Sequence, residues 1–165
     1  MTRAIAVLSL LMLVAACKSD KSPWTSTWSE QERIAWVAAC ADVPTSEVVV
    51  KDYGFEDSLT YYFEPDRTKL QGGINCTVDW SSKRNRVTAV SMMIDSTYPA
   101  TVAPADVARL LSVAKPTIPA AAFTTLERLA TSDYTTAPAA ATPGLRISAG
   151  YAASNHYWSA VIVAE

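Results

Sequence analysis

The chain has one histidine, three cysteines and five glycines in 165 residues, little net charge, and no apolar run long enough to cross a bilayer as a helix. Each shortage closes off a class of function. With His156 the sole imidazole, any Ser/His/Asp or Cys/His catalytic arrangement has to run through that residue. Its place beside Asn155, in a predicted hairpin turn, suits an exposed and chemically neutral side chain. Neither Gly-x-Ser-x-Gly nor His-Glu-x-x-His occurs. Zinc sites want four ligands, and a chain with one histidine and few cysteines offers no such set, so no metal is expected. Gly72-Gly73 is a turn before a strand, without the helix start and lysine of a phosphate loop, and no cofactor is expected. Fourteen Lys and Arg against 16 Asp and Glu give a net charge of −2, and there is no basic stripe, which excludes nucleic acid as a partner. Internal repeats and a parallel βαβ rhythm are also missing.

What is present begins at the N-terminus. Met1-Thr2-Arg3 carries one positive charge and leads into Ala4–Ala16, thirteen residues broken only by Ser9. A membrane-spanning helix needs about 20 apolar residues. A charged start, a short apolar core and small residues at its end read instead as a secretory signal segment. Apolar on all sides, it also lacks the amphipathic face of a first domain helix. The segment closes with Val14-Ala15-Ala16-Cys17, which resembles the lipobox of bacterial lipoproteins. The resemblance covers residues 1–17 alone. It implies cleavage before Cys17, lipidation of the Cys17 thiol, and a periplasm-facing protein held at a membrane by two or more acyl chains, enough for stable anchoring. Leu13-Val14-Ala15 lacks the small-x-small pattern of ordinary signal cleavage. Lys18-Ser19 lacks the aspartate that in this class retains proteins at the inner membrane, which implies the outer membrane.

On this reading residues 1–16 are a signal peptide, 17–28 the lipidated cysteine and a polar tether containing Pro23, and 29–165 one domain. Trp24 and Trp28 interrupt the tether, either packing back on the domain or sitting at the membrane interface. With Cys17 assigned to lipid, an even pair remains, and in an exported protein Cys40 and Cys76 are expected to form a disulfide. Two free buried thiols or a metal site are the alternatives. Asn75-Cys76-Thr77 matches a glycosylation sequon, but the expected bridge and the bacterial setting argue against its use.

Periodicity places both cysteines on core faces. Ser29-Glu30-Gln31-Glu32 opens as a capping box, and the helix to about Asp42 lines up Arg33, Trp36, Val37 and Cys40. In the strand 74–80, Ile74, Cys76, Val78 and Trp80 share a face. Four strand-like runs follow the first helix, at 47–53, 59–64, 73–80 and 86–95, joined by short polar turns suited to antiparallel hairpins. Pro104 and Pro119 fit the first turns of two helices, ending near Ala114 and Thr131. Residues 131–144 form a Thr/Ala/Pro-rich loop, and a final hairpin pairs 145–152 with 157–164. The sum is an α+β fold of order α-β4-α2-β2: an antiparallel sheet of about six strands with helices on one face and one disulfide.

In a four-strand meander the first and third turns fall at one end. That topology brings Asp52, Tyr53, Phe55, Glu56 and Asp57 beside Lys83, Arg84 and Arg86. As a solvated ion-pair rim such a cluster contributes under about 1 kcal/mol per pair. As a docking edge it has aromatic anchors, with Tyr61 and Tyr62 nearby. A second candidate surface joins the Tyr134 loop to Tyr151, Tyr157 and Trp158 of the final hairpin. Carboxylates able to serve a glycosidase, Asp52, Glu56 and Asp57, crowd one tight turn, where acidic side chains normally face water. The expectation is therefore an envelope lipoprotein that binds a protein partner as an inhibitor, immunity protein or accessory subunit, without catalysis. A small-molecule or glycan binder and an envelope hydrolase are the alternatives. A deep aromatic pocket would favour the former, and two carboxylates facing each other across a cleft the latter.

Overall fold

Ser29 starts the first helix, α1 (Glu30–Ala41), by a reciprocal cap. Its hydroxyl accepts from the Glu32 amide at 3.3 Å, and the Glu32 carboxylate accepts from the Ser29 amide at 2.6 Å. The helix ends where Asp42 turns left-handed, at φ 60°. Throughout, the computed structural model describes residues 28–54, 57–63, 73–96, 101–133, 140–152 and 155–165. Hydrogen bonds from Ser29, first its backbone amide and then its hydroxyl contact, hold the Glu32 carboxyl below the usual carboxylate range. A group lowered in the folded state stabilises it above the unfolded carboxylate pKa, and loses that contribution as pH falls through the folded value. Thermal midpoints of the wild type and Glu32→Gln should therefore differ near neutral pH and converge in acid. A gap that stays constant across pH would remove the cap from the acid limb.

After a single 3-10 turn at Thr45–Glu47 come β1 (Val48–Asp52), β2 (Ser58–Phe63), β3 (Gly73–Ser81) and β4 (Arg86–Asp95), paired antiparallel in sequence. Two helices follow, α2 (Pro104–Ala114) and α3 (Ala120–Ala130), then β5 (Ala140–Thr142), β6 (Leu145–Tyr151) and β7 (Tyr157–Ala164). Pro104 occupies the first turn of α2, where its missing N–H costs no helical bond. The sheet order is β1-β2-β3-β4-β7-β6-β5: the C-terminal strands join the meander at β4, leaving β1 and β5 as the edges. This is the α+β architecture read from sequence, with seven strands in place of six. The addition is β5, three residues inside the stretch read as a loop. Ala140, Ala141 and Thr142 carry no apolar alternation, and they are ordered by pairing with Ile147, Arg146 and Leu145 of β6.

One face of the sheet carries the core. Tyr61, Cys76, Val78, Met92, Trp158, Ala160, Ile162, Leu145 and Ile147 meet Val37 and Cys40 of α1, Leu110 of α2 and Leu126 of α3. Each apolar side chain removed from water in this way contributes roughly 1.5–3 kcal/mol. Trp158 is fully buried, and its indole N–H donates to the Ala130 carbonyl at 2.9 Å, fixing the end of α3 to β7. Cys40 and Cys76 are bonded, with Cα atoms 6.0 Å apart, so the disulfide joins α1 to the middle of the sheet. The opposite face bears a polar ladder, including Thr60 to Asp79 and Thr77 to Ser91, each at 2.6 Å. Among the described residues no helix is long and apolar enough to cross a membrane.

Candidate functional site: an uncovered edge strand

β1 begins as a valine-rich strand, Val48-Val49-Val50-Lys51-Asp52, which by composition suits a buried position. Its placement in the sheet leaves it exposed. It has one neighbour, β2, in the register Val48 to Phe63 through Asp52 to Leu59. Because side chains alternate along a strand, Val49 and Lys51 lie on one face and Val48, Val50 and Asp52 on the other. The helix layer covers neither side well: α1 rests chiefly on β2 and β3. Val49 is 37 % exposed and Val50 39 %, Val50 on the helix-bearing face past the reach of its cover and Val49 on the opposite, polar face. With Tyr53 these are the exposed large hydrophobic residues among the described part of the chain. On the outer side, every other residue of β1 directs its N–H and C=O away from β2. Lys51 and Asp52 are the charges of the strand, both at its end, and the Lys51 ammonium lies 4.7 Å from the Tyr53 ring centroid.

The turns at the end of β1 complete the site. The Asp52 carboxylate accepts from the Gly54 amide at 2.7 Å, closing the turn through Gly54 at φ 72°. The turn after β3 is tied to it: both the amide and the hydroxyl of Ser82 donate to the Asp57 carbonyl, at 2.9 and 2.7 Å. The first and third turns thus sit side by side, with Asp52, Tyr53, Asp57, Lys83 and Arg84 exposed. Phe55 and Glu56 lie outside the described residues. Arg86 departs from the rim proposed from sequence: it is 7 % exposed. Thr88 is bulged out between Val87, opposite Trp80, and Ala89, opposite Asp79. The bulge resets the alternation at the start of β4, so that Arg86 and its partner Ser81, itself 6 % exposed, are buried on the face opposite Val87, Val90 and Met92.

The second surface read from sequence divides. Tyr134 lies outside the described residues, and Trp158 belongs to the core. Tyr157 starts β7 on the face opposite Trp158, half-buried. Tyr151 lines an open, polar hollow of about 500 Å³ with Thr101, Ser132, Asp133 and Asn155. That hollow has one ring and one carboxylate along its described walls, neither the aromatic slot of a stacking site nor a facing pair of acids. His156 is half-buried before β7, and its carbonyl accepts from the Ser96 amide at 2.8 Å. No group of three or more His, Cys, Asp or Glu suited to a metal occurs among the described residues.

Sequence reading singled out the turn residues and missed Val49 and Val50. A valine run looks the same whether it will be central or at an edge, and no local signal says which end of the meander the C-terminal strands will join. The chain matches no protein-family model, no curated protein and no solved structure.

Proposed function

We propose that this protein is a lipoprotein of the bacterial envelope, anchored through Cys17, that binds a protein partner without turnover. The partner adds an extended segment along the free side of β1. One observation carries the reading: among the described residues the exposed large hydrophobic ones, Val49, Val50 and Tyr53, all stand on or next to a strand whose outer edge no described strand pairs. Natural sheets usually blunt such an edge with charge, proline or a bulge. Here the two charges at its end do so, Lys51 drawn over Tyr53 and Asp52 engaged by the Gly54 amide, which leaves Val48 to Val50 without one. In strand addition the main-chain bonds supply affinity and the side chains flanking them supply selectivity. Val49 and Val50 offer an apolar contact on each face, and Tyr53 an aromatic anchor at the end. At that end Lys83 and Arg84 stand with Asp52 and Asp57, so a partner segment meets charges of both signs there. The Cys40–Cys76 disulfide suits an oxidising compartment.

Two measurements test this. The mass of the N-terminal peptide from the protein made in a bacterial host should show acylated Cys17, and an intact Met1 would remove the anchoring. Affinity capture should recover an envelope or secreted protein with the wild type and lose it with Val49→Lys/Val50→Lys. Both sites are exposed, so each substitution should shift stability by no more than about 0.5 kcal/mol. Recovery of the same protein by both chains would take β1 out of the interface. An envelope-degrading activity abolished by His156→Ala would replace binding with hydrolysis.

A further inference from the structure

A second surface is apolar, concave and close to where the tether enters the fold. Between α1 and the end of α2 lies a groove of about 450 Å³, walled by Trp28, Ala35, Trp36, Ala39, Val113 and Pro116. Its polar lining comes from Glu32 and Thr117, and the Glu32 carboxylate is already engaged by the Ser29 amide. Arg109 fixes α2 to the far end of α1 by donating to the carbonyls of Ala39 and Cys40, at 3.4 and 3.1 Å. From that clamp towards Trp28, α1 offers Ala35 and Ala39, both small and exposed, and no large side chain of the described residues fills the space beside them. The Trp28 and Trp36 rings stand 6.2 Å apart, tilted by 42°.

The lining sets the chemistry of an occupant. Trp28, Trp36, Val113 and Pro116 with the two alanines make the walls predominantly apolar, so the groove suits an unbranched apolar chain. A fatty acyl chain is of that kind. The volume falls in the range of small-ligand sites, about 300–1,000 Å³.

We infer that this groove seats a fatty acyl chain, and that in the finished protein the occupant is the lipid on Cys17. The identity of the occupant rests on the anchoring proposed above, whereas the groove does not. Trp28 stands eleven residues after Cys17 and is itself part of the groove wall. Eleven residues reach at most about 36–40 Å, so the thioether can return to the groove. Seated there, one chain of the anchor would hold the domain against the membrane.

The test uses the full chain made in a bacterial host fed a fatty acid bearing a diazirine, so that the lipid on Cys17 carries the photoreactive group. Irradiation should join that lipid to peptides 30–41 and 104–117 of the same molecule. Ala39→Trp, which fills the groove from an exposed position, should cut the cross-link at least tenfold. Formation of the Cys40–Cys76 disulfide and an unchanged circular dichroism spectrum report that the variant folds. Cross-links confined to bilayer phospholipid, or undiminished in Ala39→Trp, would overturn the proposal. If the N-terminal peptide carries no lipid, the anchoring reading fails and the occupant with it. A dansylated undecanoic acid titrated onto the same protein then judges the groove separately: saturable binding lost in Ala39→Trp keeps it as an acyl site, and no binding removes it.

Discussion

Replacing both Cys40 and Cys76 with alanine should lower stability by about 3–4 kcal/mol, the largest loss expected from removing any one covalent or polar link in the fold. The bridge spans 36 residues of sequence. In the chain-entropy picture, closing a loop of that size restricts the unfolded ensemble by about this amount. Its two ends make the effect global. Cys40 is on the last turn of α1 and Cys76 in the middle of β3, both fully buried, so the bond fixes the helix layer to the sheet at the centre of the core. For a chain of this size each kcal/mol moves the thermal midpoint by about 2–4 °C, so a fall of about 10 °C is expected. Reduction of the wild type should give a similar fall, since it acts on the same unfolded-state restriction. Urea titration of the oxidised, reduced and double-alanine chains decides it. Coincident midpoints would mean that packing between α1 and β3, rather than the cross-link, holds the layers together.

Those two cysteines also mark how far sequence carries. Their pairing was legible because each stood in an element with an unambiguous period, Arg33–Trp36–Val37–Cys40 on the helix and Ile74–Cys76–Val78–Trp80 on the strand. The order of helices and strands and the antiparallel meander followed from the same local signals, together with Pro104 and Pro119. The juxtaposition of the first and third turns was a consequence of topology, which short polar turns dictate. What stayed hidden depends on contacts distant in sequence. β5 exists because β6 offers it an edge. A bulge at Thr88 that no turn residue announces changes the face on which Arg86 lies, and Arg86 is buried there beside Ser81. The exposure of Val50 depends on where the final hairpin attaches, and had it joined at β1 that residue would be more deeply covered. The α1–α2 groove is likewise a property of two helices that meet only in space. Local chemistry is written in the chain, whereas the surfaces proposed here for partner and lipid arise from how the elements are placed together.

Arg33 supplies the second large effect, and a sharper one, because its variants should rank in an order that neither charge nor size alone predicts. It is 5 % exposed within the apolar stripe of α1. Its guanidinium carbon lies 4.7 Å from the Tyr61 ring centroid and 4.3 Å from that of Trp80, so the plane is held between two aromatic faces. One terminal nitrogen donates to the Tyr61 hydroxyl at 2.9 Å and the other to the Trp28 carbonyl, while Nε has no acceptor among the described residues. The site has hydrogen bonds and ring faces, each contact contributing about 0.5–2 kcal/mol when desolvated, set against the cost of burying a charge. Arg33→Ala removes these contacts and leaves a void between the rings, and a loss of about 2–4 kcal/mol is expected. Arg33→Lys keeps the charge but offers a compact ammonium that cannot lie flat between two rings while reaching both acceptors, so it should fall close to alanine. Arg33→Met fills the space without a charge to desolvate, and should remain within about 1.5 kcal/mol of the wild type, on either side. Urea midpoints should therefore place methionine beside arginine, and lysine beside alanine. Lysine matching arginine would make the bare charge the stabilising element. Methionine falling to the level of alanine would instead assign the stability to the two hydrogen bonds that tie the start of α1 to β2, and with them the position of Trp28 at the mouth of the acyl groove.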